Sequence, residues 1–142
     1  MLYDKQNLFS ENQAITADAA STNVVCLAQG TLKEAAFGTP IPLRIQVTET
    51  FTGVTAATTL EIKIQTDDNE ALSSPTTLAT TGAITADKLV EGYVAPINFI
   101  PKGNEGYMRI FYDVTLNSGE SITAGKITAG IVAGNEGSFQ DM

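Results

Sequence analysis

The sequence predicts an all-β fold, an antiparallel two-sheet sandwich, on three observations. Long stretches alternate apolar and polar residues with period two, turn residues recur densely between them, and helical candidates are too short to stand alone. Such a pattern fits a two-sheet sandwich or a barrel, with a jelly-roll sandwich the first expectation.

Taken in order, Asp4 is placed to cap a short helical turn reaching Leu8 and Phe9, and residues 23–27 form a short strand candidate. Residues 41–49 are a strand, with Leu43, Ile45 and Val47 opposite Arg44, Gln46 and Thr48. Residues 58–66 repeat the pattern, Leu60, Ile62 and Ile64 facing away from Thr59, Glu61, Lys63 and Gln65. Residues 76–79 and 94–100 are further strand candidates. Thr85 or Asp87 would cap a second short turn over residues 88–91, ended by Gly92. In residues 107–116, Met108, Ile110, Tyr112, Val114 and Leu116 share one row; Phe111 sits on the outward row as an exception. Asn117-Ser118-Gly119 reads as a hairpin turn into a last strand over residues 122–133.

Two short repeats occur. Residues 14–18 and 83–87 are both Ala-Ile-Thr-Ala-Asp, but their flanks differ, which favours chance. Ile122-Thr123-Ala124-Gly125 recurs as Ile127-Thr128-Ala129-Gly130, an odd offset that requires a bulge or turn near Gly125 if both isoleucines face the core.

The chain has 142 residues with 8 Lys+Arg against 16 Asp+Glu, a net charge of −8. That balance disfavours nucleic acid and anionic membranes as partners. No apolar run approaches the roughly 18 residues of a membrane span, and the start lacks the features of a signal peptide, so synthesis in a host cytoplasm is expected. With no His and one Cys, the composition excludes His-based acid–base catalysis, a Ser-His-Asp triad, an internal disulfide and a Cys/His zinc site. Cys26, beside Val24, Val25 and Leu27, reads as a small buried hydrophobe.

The densest acidic group, Asp67, Asp68 and Glu70 around Asn69, lacks the spacing and central Gly of a calcium loop and reads as a solvated turn. The glycines form no phosphate-binding loop. A sugar-binding platform of Tyr93, Tyr107 and Tyr112 is the minor reading, since with aromatics at 7% and no Trp they are more economically placed in or beside the core. No catalytic residue, cofactor site or metal site is assigned, and the chain is expected not to be an enzyme. Residues 1–13 read as an N-terminal arm, 14–134 as the sandwich and 135–142 as a loose C-terminal tail. Leu2, Tyr3, Leu8 and Phe9 are the arm's contact candidates, either for a partner surface or for an open end of the chain's own sandwich.

The opening Met1-Leu2-Tyr3-Asp4-Lys5-Gln6-Asn7-Leu8-Phe9-Ser10, continuing to Gln13-Ala14-Ile15-Thr16, resembles the capsid cement (decoration) proteins of short-tailed phages, the group typified by the Bordetella phage cement protein. The resemblance returns at Gln65-Thr66-Asp67-Asp68-Asn69, Ser73-Ser74-Pro75-Thr76-Thr77-Leu78, Leu89-Val90-Glu91-Gly92-Tyr93 and Ile127-Thr128-Ala129-Gly130-Ile131-Val132. It implies a jelly-roll homodimer on the outer capsid surface of the virion, bridging subunits of the major capsid protein for capsid stabilisation, with no catalytic motif to carry over. The alternative is a carbohydrate- or receptor-binding β-sandwich displayed on the virion.

Overall fold

The computed structural model describes residues 3–26 and 41–132, with side chains from residue 7 onward in the first segment. The described residues form eight strands: β1 (Tyr3–Ala14), β2 (Ala19–Ala20), β3 (Val25–Cys26), β4 (Leu43–Thr52), β5 (Thr59–Asp67), β6 (Thr76–Thr85), β7 (Tyr107–Thr115) and β8 (Ala124–Val132). All pairs are antiparallel. One sheet runs β1-β8-β4, the other β2-β7-β5-β6 with β3 beside β2 on the same edge of β7.

Residues 89–100 complete the first sheet without becoming a regular strand. They lie along the outer edge of β4, with Val47 N donating to Tyr93 O, Ala95 N to Ile45 O and Leu43 N to Asn98 O, and bridges at Gln46–Val94 and Pro42–Phe99. Pro96 has no N–H to donate, and it interrupts any longer ladder. Counting this strap as a strand, and β2 with β3 as one, the chain order in the two sheets is 1-8-3-6 and 2-7-4-5. That is the jelly-roll arrangement of two interleaved Greek keys.

The alternation read from sequence is the alternation of burial. Leu43, Ile45 and Val47 from β4, Leu60, Ile62 and Ile64 from β5, and Met108, Ile110 and Tyr112 from β7 meet Phe9, Ile15, Ile127 and Ala129 between the sheets. Fully burying each aliphatic side chain stabilises by roughly 1.5–3 kcal/mol before ordering costs.

Five local expectations are corrected. Residues 4–9 are strand, not a helical turn: they lie in β1, which pairs with β8 and buries Phe9. From Tyr3 on, the segment read as a separate arm is therefore part of an outer strand of the sandwich. β6 runs on past residue 79 to Thr85, because two bulges restore its pairing with β5 as the partners move from Gln65↔Thr77 to Ile64↔Ala79 and from Lys63↔Thr80 to Glu61↔Ala83. Residues 94–100 form the strap just described. The second predicted turn is a 3-10 turn at Ala86–Lys88, with Thr85 as N-cap but no side-chain capping bond.

Asn117-Ser118-Gly119 does not close a hairpin, since β7 and β8 belong to different sheets. The chain crosses the core at that point, next to the crossing of residues 53–58 from β4 to β5. The Glu120 carboxylate fastens the two crossings: Thr55 Oγ1 and Thr58 Oγ1 each donate to it at 2.5 Å and Thr55 N at 3.2 Å. The buried Thr58 hydroxyl in turn accepts from Asn117 N at 3.0 Å. Gly53, at φ +85°, fits here because a Cβ would collide with the Ser121 carbonyl.

The repeat containing Ile122 and Ile127 is reconciled by position. Ile122 precedes β8 and Gly125 lies against the Phe51 ring, so both isoleucines are buried. The tail at 135–142 lies outside the described residues.

Candidate interaction surfaces

The acidic turn after β5 is a structural cap. Asp67, 5% exposed, accepts from Asp68 N at 2.7 Å and from Ser74 N at 2.9 Å, closing the connection to β6 over the buried Leu72. Donation from Ser74 N holds its carboxyl below the usual carboxylate range, ahead of the opposing effect of desolvation. Its oxygens are thus engaged by the chain's own amides, and among the described residues no group of three potential metal ligands gathers.

The three tyrosines are not brought together. Tyr112 is 0% exposed, its hydroxyl 2.8 Å from Ser10 Oγ inside the core, and burial pushes its pKa up. Ser10 also donates to Gln13 Oε1 at 2.7 Å, and Gln13 anchors the chain before β3 through Ala20 O and Thr22 N. Tyr93 lies on the strap of the first sheet and Tyr107 on β7 of the second. A platform built from all three does not exist.

Of the contact candidates at the start of the chain, Phe9 is 0% exposed and is a core residue, which corrects its reading as an anchor for a partner. Leu8, its neighbour on β1, is half-buried. Tyr3 opens β1 opposite Val132; Leu2 lies outside the described residues. Cys26 is exposed rather than buried. Alternation along β3 sends Val25, opposite Met108, inward and Cys26, opposite Tyr107, outward.

The outer face of the second sheet carries an ordered row on adjacent strands. Arg109 Nε donates to Gln65 Oε1 at 2.9 Å, and its guanidinium lies 5.7 Å from the Phe111 ring centre. Lys63 Nζ meets Asp113 at 3.0 Å and Glu61 at 4.0 Å. The hydrogen bond to Asp113 is the main cause that raises the Lys63 pKa. The outward Phe111 flagged by sequence is thus half-covered by a cation from its own strand. Elsewhere, among the described residues, Val90 and Phe99 on the strap and Leu116 after β7 are the exposed large apolar residues, Phe99 at 48%.

The sheet edges differ in how they end. The strap covers β4. Residues 20–23 cover the middle of β1, with Asn23 N donating to Phe9 O at 3.0 Å and Asn23 Nδ2 to Leu8 O at 2.8 Å. β2, β3 and Ser21 cover β7, Ser21 N donating to Ile110 O at 2.7 Å. Among the described residues, no backbone hydrogen bond reaches the outer edge of β6. Sequence reasoning missed this edge because half of β6 went unrecognised; the uncharged run from residue 71 to 86 was the available signal.

Compared with known proteins, residues 9–131 match the model of the Bbp16 family. No match was found among curated proteins.

Proposed function

The chain belongs to the Bbp16 family, named after a Bordetella phage protein, and from that premise we propose that it is a capsid cement protein. In this reading a homodimer binds the outer surface of a phage head and bridges neighbouring major capsid subunits. Family membership across residues 9–131 is the observation that carries the proposal. The physical character of the chain supports it: a jelly roll whose polar clusters satisfy one another and whose acidic turn is locked by its own backbone suits a passive clamp.

Such a clamp works without catalysis. Modest contacts repeated over a lattice gain avidity, so no single interface has to be strong. Leu2, Tyr3 and Leu8 remain the contact candidates at the start of the chain, joined by the exposed Phe99 and Val90 on the strap.

Cryo-electron microscopy of the purified particle tests the role. Density for this sandwich is expected outside the major shell, touching at least two capsid subunits. Its absence from the particle, or a position inside the shell, would overturn the proposal.

A further inference from the structure

Among the described residues, the sandwich leaves one long strand edge open. The edges of β4 and β7 are covered by other parts of the chain, and β1 is covered at residues 8 and 9 and carries Asp4 and Lys5 before them. The strap ends its own sheet with Pro96 and is followed by Pro101 and Lys102. Charges, prolines and bulges are among the ways natural edges resist pairing, and of these β6 carries only bulges. It has no charge and no proline: residues 76–85 are Thr-Thr-Leu-Ala-Thr-Thr-Gly-Ala-Ile-Thr, inside an uncharged run from residue 71 to 86.

The direction of its backbone groups follows from the neighbouring strands. Val114 N donates to Asp18 and Ile110 O accepts from Ser21 N, so even-numbered residues of β7 face β2 and odd-numbered ones face β5. In β5, odd residues then face β7 and even residues face β6, as Ile62 N does in donating to Thr81 Oγ1 at 3.1 Å. With Leu60 opposite Ile84 and Glu61 opposite Ala83, the N–H of Ile84 points into the ladder, while those of Ala83 and Thr85 point out of the sheet.

We propose that this edge joins a second copy of the chain, the two β6 strands pairing antiparallel across a two-fold axis so that the two sheets continue as one. The inference rests on the homodimer of the proposed function and assigns its interface. An antiparallel strand edge is complementary to itself, as a two-fold contact requires. Charge selects the same partner: each copy carries −8, so two copies approach at least cost through a segment without charge. The two bulges of β6 break the edge into short runs, which pins one register and disfavours open-ended stacking.

Sedimentation equilibrium on the intact protein, beside Ala83→Pro and Ala83→Lys, tests this. Ala83→Pro removes an outward N–H without taking a bond from the β5 ladder. Ala83→Lys keeps the N–H, places a charge at the edge and sits beside Glu61, which protects the fold should the proline variant fail to form it. The wild type is expected to be dimeric, and each folded variant to dimerise at least about tenfold more weakly, since the two-fold axis doubles each lost contact. Hydrogen exchange at the Thr85 amide should be slow in the wild type and faster in both variants.

Variants as dimeric as the wild type would overturn the edge assignment and leave the dimer standing. A wild type monomeric at every concentration would overturn both, while co-sedimentation with empty heads would still report on the capsid role separately. Loss of head binding by the variants of a monomeric wild type would assign the edge to a capsid subunit and sink the second-copy proposal.

Discussion

The Tyr112 hydroxyl and Ser10 Oγ, 2.8 Å apart and both buried, show how a single polar pair constrains a core. Deleting the two members has unequal consequences. Tyr112→Phe removes a hydroxyl whose partner still bonds Gln13, at a cost of about 1 kcal/mol, whereas Ser10→Ala strands a buried hydroxyl and costs about 1–3 kcal/mol. Urea unfolding of the two variants is expected to give that order. Gly125 is a second residue at which geometry decides. A Cβ there would sit 2.7 Å from Phe51, at φ +151°, so Gly125→Ala is expected to destabilise by about 1–3 kcal/mol in the same measurement. The repeated Ile-Thr-Ala-Gly pointed to a local irregularity here, but which ring presses on the glycine was invisible, because Phe51 arrives from a strand more than seventy residues away.

At the scale of elements, β1 is held to the body by Phe9 as well as by its ladder with β8. Phe9→Ala is expected to cost about 3–5 kcal/mol of unfolding free energy, in contrast to a surface anchor, whose truncation would leave stability nearly unchanged. The crossings at residues 53–58 and 117–121 depend on one carboxylate. Thr55 and Thr58 hydroxyls, followed by Thr55 N, lower the Glu120 pKa from its ordinary 4.5 to about 2. The folded value lies below the unfolded one, so this contribution is complete above pH 4.5 and is lost as pH falls toward 2. Glu120→Gln should therefore lower stability at neutral pH and flatten the decline between pH 4.5 and 2, as measured by thermal melts across that range.

Over the whole molecule, a net charge of −8 opposes self-association and favours approach to a basic surface. If the outer capsid surface supplies such patches, association with empty heads should slow as ionic strength rises, because exposed charges are screened beyond about 8–10 Å at physiological salt. A rate independent of salt would exclude steering while leaving apolar contacts through Leu8 or Phe99 intact. The same charge favours the inferred dimer contact on a long edge strand that carries none.

Period two in residues 43–47, 60–64 and 108–112 determined the fold class, because a strand with one buried face must alternate wherever it lies in the sheet. The absence of His and the single Cys likewise excluded a Ser-His-Asp triad, an internal disulfide and a Cys/His zinc site before any fold was known. Alternation does not say which strand is the neighbour. That the turn at residues 117–119 crosses between sheets, that residues 89–100 form a strap, that Phe9 points into the core and that β6 ends its sheet with no further strand among the described residues were decided by the tertiary structure alone. Each depends on bonds or packing between residues far apart in the chain, such as Glu120 with Thr55 and Ser10 with Tyr112, which no local pattern encodes.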